Sequence, residues 1–170
     1  MDLKKVIRTI ENYPIEGVMF RDITTVLKDK EALKYSVDEM MKTISDLEFD
    51  YILGPESRGF IFAMPIAYNM SKGFIPVRKA GKLPAETIGK EYELEYGTAT
   101  LEIHKDALKK GDKVIIIDDL LATGGTCKAM IELVESIGAE VVGLSFFIEL
   151  EELKGRELLN GYNIQSIVKY

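Results

Sequence analysis

A chain of 170 residues, 46% hydrophobic and 29% charged, has the size and balance of one globular domain able to bury a core of its own. A net charge of -6 argues against nucleic acid as a partner, and a single cysteine, Cys127, excludes an intrachain disulfide and a cysteine-cluster zinc site; with His104 the lone histidine, imidazole-built metal centres are disfavoured as well. No apolar run approaches the ~18 residues of a membrane span, and the charged start Met1 to Lys5 lacks a secretory stretch, so no membrane partner and a cytoplasmic location are expected.

Leu3, Val6, Ile7 and Ile10 recur at helical spacing behind Asp2, which predicts an amphipathic helix over 3–10 in a segment closed by Pro14. Tyr13 to Asp22 is rich in turn formers. A second helix is predicted from near Asp29 to about Leu47, because Leu33, Val37, Met40, Met41, Ile44 and Leu47 share one face. Phe49 to Leu53 reads as a buried strand, Gly54 to Gly59 as a turn, and Phe60 to about Met70 as an apolar helix. Phe74 to Val77 is a further strand. Arg78 to Lys90 holds Gly81, Pro84 and Gly89 without sustained periodicity and reads as a long polar loop; its basic cluster, Arg78, Lys79 and Lys82, could bind a small anion.

Tyr92 to Tyr96 and Thr98 to His104 flank Gly97, and Ala99, Leu101 and Ile103 alternate with polar residues, which predicts a hairpin with one wet face. Val114 to Ile117 is an all-apolar strand that runs into Asp118 and Asp119 and then into Leu120 to Thr126. The helix that must follow buries Met130, Leu133, Val134 and Ile137 and stops at Gly138; Val141 to Ile148 is the next strand. Strands alternating with helices, the central ones apolar on both faces, indicate an α/β fold with a mainly parallel central sheet flanked by helices, read as a single domain over 1–170.

Ligands of such sheets bind at the carboxyl ends of the strands, where a glycine-rich turn leads into a helix. Asp118 to Thr126 is such a place. Gly124 and Gly125 let backbone N–H groups approach a ligand, Thr123 and Thr126 add hydroxyls, and the helix dipole favours a phosphate. The Walker lysine is missing, which argues against a triphosphate loop. Two adjacent acids would repel an anion unless they serve another part of the same ligand, such as vicinal ribose hydroxyls or magnesium held through its water shell. An ordinary turn with solvated acids is the competing reading of these residues.

The string Val114 to Thr126 resembles the phosphoribosyl pyrophosphate motif of type I phosphoribosyltransferases, in the form typical of their adenine-specific branch. Phe20 to Thr24, Glu56 to Phe60, Val77 to Lys79 with Gly81 to Pro84, Leu94 to Gly97, Leu101 to Ile103 and Leu153 to Glu157 resemble the same branch, in its order. The resemblance implies the type I phosphoribosyltransferase fold, with a small N-terminal hood at about 1–28 and a mobile lid loop at about 79–96. It implies transfer of the 5-phosphoribosyl group from phosphoribosyl pyrophosphate to N9 of adenine, giving AMP and pyrophosphate, in a homodimer dependent on Mg2+ and serving purine salvage.

By the same resemblance, Ala122, Thr123, Gly124, Gly125 and Thr126 hold the 5-phosphate, and Asp118 and Asp119 contact the ribose hydroxyls. Glu56, Ser57, Arg58, Arg78, Lys79 and Lys82 belong to the pyrophosphate region, with the Glu56–Ser57 peptide expected to be cis. Val18, Phe20 and Arg21 form the adenine site, and Glu95 contacts the base imidazole and manages its proton. The catalytic set implied is Glu95, Arg58, Asp118 and Asp119. No side chain is expected to bind the metal directly; pyrophosphate, ribose hydroxyls and water would hold it. His104 and Cys127 match nothing functional and read as a strand-surface and a packing residue. Transfer to xanthine or to hypoxanthine and guanine, a phosphoribosyl pyrophosphate sensor, and a simple nucleotide-binding module are the competing functions.

Overall fold

The structure, a computed structural model, describes residues 1–94 and 97–170. After a short 3-10 turn at Leu3–Lys5 come β1 (Arg8–Glu11), β2 (Met19–Asp22), α1 (Thr24–Lys28), α2 (Lys30–Ile44), β3 (Tyr51–Pro55), α3 (Arg58–Asn69) and β4 (Gly73–Lys79). They are followed by β5 (Thr87–Glu93), β6 (Thr98–His104), β7 (Lys113–Leu121), α4 (Gly125–Ser136), β8 (Glu140–Glu149), α5 (Gly155–Leu158) and β9 (Ile164–Lys169).

Among the described residues, seven strands form one sheet in the order β5-β6-β4-β3-β7-β8-β9. The five from β4 to β9 run parallel, and β6 and β5 extend them antiparallel. Alternation along the central strands feeds two cores. Val114 and Ile116 of β7 pack with Leu53, Met130 and Val134 on one face, and Ile115 and Ile117 pack with Ile52, Phe62 and Ile66 on the other. A strand buried on both faces reads as a continuous apolar run, which is how β7 reads. Helix α4 covers the first face and α2 and α3 the second, so the α/β reading holds. Asp29 starts α2 by accepting hydrogen bonds from the amides of Glu31 (2.9 Å) and Ala32 (3.0 Å), two donors left orphaned by the first turn.

The predicted helix over 3–10 is corrected: the 3-10 turn stops at Lys5 and the chain turns into β1. The Thr25 hydroxyl donates to the Val6 carbonyl at 2.7 Å and accepts from the Arg8 amide at 3.2 Å, taking groups that a continuing helix would pair internally. Arg8–Glu11 then pairs antiparallel with Met19–Asp22, and Leu3 and Ile7 are buried all the same. The loop predicted over 78–90 is shorter than expected, because β4 continues to Lys79 and β5 already begins at Thr87. Ile88 and Tyr92 are the only large apolar residues of β5, too few for a period-2 signal, and they pack on the core under β6.

The small β1–β2 hairpin is pinned at Asp22, whose carboxylate accepts from the Thr24 amide at 2.9 Å and from the Arg8 guanidinium. The Thr24 amide first, and Arg8 next, hold this carboxyl at about 2, below its ordinary 3.8. A depressed folded value adds stability above the unfolded value that disappears as pH falls through the folded one. Asp22→Asn is therefore expected to flatten the stability profile between about pH 4 and pH 2, as read from urea midpoints across that range.

Candidate active site

β7 does not stop where its apolar run stops. It continues through Asp118 and Asp119 to Leu121, so both acids stand near the carboxyl end of a strand, and both line the cavity there. The chain then turns through Ala122 and Thr123 to Gly124, whose φ of 88° is a left-handed value that glycine takes without steric cost. Helix α4 begins at Gly125, and its first amides, which have no intrahelical partners, meet the loop at the positive end of the helix dipole.

A cavity of about 500 Å³ lies over this junction. It brings together Glu56, Ser57 and Arg58 from the β3–α3 turn, Lys79 from the end of β4, Asp118 and Asp119 from β7, and the loop Ala122–Thr126. These are the carboxyl ends of three adjacent parallel strands, where ligands of open α/β sheets bind. A narrower cavity of about 110 Å³ opens beside it, walled by Val18, Phe20 and Arg21 of the hairpin and by Ile148 and Leu150 beyond β7. Arg58, Asp119 and Leu120 line both.

Arg58 joins the two spaces. Its Nε lies 2.9 Å from Asp119 Oδ2, and its guanidinium carbon is 5.8 Å from the centre of the Phe20 ring. Glu56 Oε1 accepts from the Lys79 amide at 2.8 Å and lies 3.3 Å from Arg78 Nε. The Lys79 amide, ahead of the charge of Arg78, holds the Glu56 carboxyl below its usual range. The Glu56–Ser57 peptide is cis, as the resemblance implies.

Burial raises both β7 carboxyls, Asp118 the more strongly. For Asp118 the neighbouring Asp119 adds to the rise, while for Asp119 the Arg58 guanidinium pulls the other way. The Asp119 amide donates to Asp118 Oδ1 at 2.8 Å, so backbone and cation together keep two acids side by side.

Not every residue singled out in the sequence reaches the cavity. Arg78 is drawn onto Glu56 at its edge, and Lys82 is exposed in the turn after β4, outside the lining. Glu95 lies outside the described residues. His104 stands on β6, where its Nε2 accepts from the Ala85 amide at 3.3 Å. Cys127 is a buried packing residue as read, with burial pushing its thiol well up, and it also lines the cavity floor with Phe146. Tyr92 and Leu101 arrive from the β5–β6 hairpin; Leu101 opens the Leu101 to Ile103 motif but carried no assigned role, Tyr92 had no motif to mark it, and the three-dimensional pairing brings both here.

The donor set fits magnesium only indirectly. Asp119 is engaged by Arg58, and among the described residues no group of three acids, histidines or cysteines could enclose an ion. Asp118 and Asp119 could meet a hydrated ion carried by ligand oxygens.

The sequence model of the phosphoribosyl transferase domain family matches residues 24–168. The adenine phosphoribosyltransferase of Lachnoclostridium phytofermentans is 59% identical over 168 residues, covering 99% of this chain and 97% of that relative. The crystal structure of adenine phosphoribosyltransferase from Thermoanaerobacter pseudethanolicus superposes with a TM-score of 0.96 at 53% identity, covering 99% of this chain and 98% of that one. That of the Saccharomyces cerevisiae enzyme, complexed with an imino-altritol bisphosphate and adenine, gives 0.89 at 40% identity over 96% and 94% of the two chains. The family model, the sequence identity and the fold agree, and the chain belongs to the adenine phosphoribosyltransferases, transferases of the phosphoribosyl transferase domain family.

Proposed function

We propose that this enzyme transfers the 5-phosphoribosyl group of phosphoribosyl pyrophosphate to N9 of adenine, giving AMP and pyrophosphate in purine salvage. The observation that carries the reading is the junction of the two cavities: a polar one over a phosphate-type loop and an apolar slot beside it, with Arg58 and Asp119 common to both. A sugar phosphate in the first and a flat base in the second would meet at that junction.

In this reading the amides and hydroxyls of Ala122–Thr126 seat the 5-phosphate, and Asp118 and Asp119 accept from the ribose hydroxyls. Arg58 and Lys79, with the Glu56–Ser57 turn, receive the pyrophosphate, and Arg78 and Lys82 join them when the lid at about 79–96 closes and excludes water. Phe20 stacks on the base while backbone groups at Val18 and Arg21 read its edge, and Glu95 manages the imidazole proton. The hood at about 1–28 and the lid belong to one domain spanning 1–170. As the C1–O bond to pyrophosphate loosens, positive charge grows on the sugar and negative charge on the leaving group; Asp118 and Asp119 face the first, the cations the second. Magnesium, held by pyrophosphate, ribose hydroxyls and water, supplies further neutralisation of the leaving group.

The active form is a homodimer in this reading. Ile61, Met64 and Tyr68 form an exposed apolar stripe along α3, Tyr68 at 79% exposure, opposite the buried face of the same helix and starting within one turn of Arg58. A cytoplasmic location goes with the reading, supported by a single, buried thiol that calls for no oxidising compartment. The test is pyrophosphate release from phosphoribosyl pyrophosphate and magnesium with adenine, hypoxanthine, guanine and xanthine supplied separately, the same preparation being sized by sedimentation equilibrium. Turnover with adenine alone is expected, from a dimer. Turnover with another base would move the specificity elsewhere in the hood, binding without turnover would favour a sensor, and an active monomer would remove the dimer.

A further inference from the structure

Leu153 to Glu157 stands outside both cavities, yet Gly155 within it is buried against the loop that lines the larger one. Gly155, the first residue of α5, lies so close to the loop that a Cβ there would sit 2.5 Å from the Ala122 carbonyl oxygen and 2.8 Å from Leu121 Cδ1. A Cβ on Gly124 would in turn sit 3.0 Å from the Gly155 carbonyl oxygen. Both ends of the turn Ala122–Gly124 therefore rest on one residue of α5.

A helix of four residues has no stability of its own, so its position is set by what holds it from outside. Leu159, buried in the core, anchors its C-terminal end, and Arg156 fixes its direction. The Nε and Nη2 of Arg156 donate to the two carboxylate oxygens of Glu149 at 2.6 and 2.8 Å, its Nη1 donates to the Ile164 carbonyl at 3.0 Å, and Nη2 also meets Ser166 Oγ at 3.2 Å. Glu149 is 4% exposed at the end of β8, its strand partner across the sheet is Leu121, and the Ser166 hydroxyl donates to its second oxygen. Arg156 holds the Glu149 carboxyl below its usual range, so the pair is ionised at neutral pH. A two-pronged guanidinium–carboxylate contact fixes direction as well as distance, which a single hydrogen bond would not.

We infer that Arg156 and Glu149 are positioning residues for the 5-phosphate: through Gly155 they set the height and tilt of the Ala122–Gly124 turn, and with it the aim of the amides that meet the phosphate. The inference rests on the reading of Ala122–Thr126 as the phosphate seat. It places the control of phosphoribosyl pyrophosphate affinity, but not of adenine affinity, in an ion pair between the buried Glu149 and the half-exposed Arg156, which touches neither ligand.

The test compares Arg156→Gln, Arg156→Lys and Gly155→Ala with the parent. Arg156→Gln is expected to raise KM for phosphoribosyl pyrophosphate by about tenfold and to weaken binding of ribose 5-phosphate by a similar factor, with KM for adenine changed less than about twofold. Arg156→Lys, which keeps the charge but not the fork, should recover only part of the loss. Gly155→Ala pushes the turn directly and should give the same selective pattern, so it decides the matter if Arg156→Gln fails to fold. Equal rises in both KM values, or an unchanged ribose 5-phosphate affinity, would overturn the inference. Gly125→Val, which acts inside the seat, serves as the reference: if it too leaves ribose 5-phosphate binding intact, the seat itself is wrong and the inference falls with it, whereas loss there alone defeats only the role of Arg156.

Discussion

Asp119→Asn is expected to lower kcat/KM for phosphoribosyl pyrophosphate by about 100- to 1,000-fold, because it removes a charged acceptor worth about 3 to 4 kcal/mol where positive charge develops. The change is nearly isosteric, so it tests charge and not shape. It puts an NH2 donor where a ribose hydroxyl would donate, and it strips Arg58 of the carboxylate 2.9 Å from its Nε, leaving the guanidinium that lines both cavities without its tether. Stability should move the other way. Burial raises the Asp119 carboxyl in the folded state, so at neutral pH the ionised side chain opposes folding and a neutral amide relieves that cost. Steady-state pyrophosphate release together with a thermal melt checks both halves. An activity within about fivefold of the parent would take Asp119 out of the machinery.

The second large effect is expected at Gly125. Apart from Thr123 Oγ1 at 4.0 Å, a Cβ at this position meets nothing, and the residue lines the cavity over the loop. Gly125→Val should fold with a melting temperature close to the parent's, since valine in a first helical turn costs well under about 1 kcal/mol. Its two methyl groups would occupy the space of the phosphate, so KM for phosphoribosyl pyrophosphate should rise by about 100-fold or more while adenine still binds. Gly124→Ala is the contrasting variant. Its φ of 88° and the Gly155 carbonyl 3.0 Å from the new Cβ impose about 1 to 2 kcal/mol on the fold itself. Separate melting and kinetic measurements should place the first variant on activity and the second on stability. A Gly125→Val enzyme with unaltered KM would show that the phosphate sits elsewhere.

Most of the α/β frame was legible because burial on both faces leaves a mark in one dimension. Val114 to Ile117 could be read as a central strand from four successive apolar residues, and α2 from its stripe and from Asp29 ahead of it. The segments that misled are those stabilised by partners far along the chain. Leu3 to Ile10 has helical spacing, but the hydroxyl of Thr25 and the pairing with Met19–Asp22 take its backbone groups. Thr87–Glu93 becomes a strand because β6 supplies the complementary edge, not because its own pattern demands one. α5 and β9 went unread for the same reason: one is too short to carry a period, and the other depends on β8.

For the site, the sequence by itself determined the chemical types: a strand ending in two acids, a glycine turn with two threonines, a basic cluster, and an aromatic in the N-terminal segment. Those are properties of adjacent residues, and adjacency is what a sequence records. The tertiary structure decided which of them converge. It joined the carboxyl ends of β3, β4 and β7 into one cavity, set Arg58 between Asp119 and Phe20, turned Arg78 onto Glu56, left Lys82 outside, and brought Gly155 under the Ala122–Gly124 turn. Convergence of that kind depends on strand order and on backbone distances of a few ångströms between residues tens of positions apart, and neither is written in local pattern or charge.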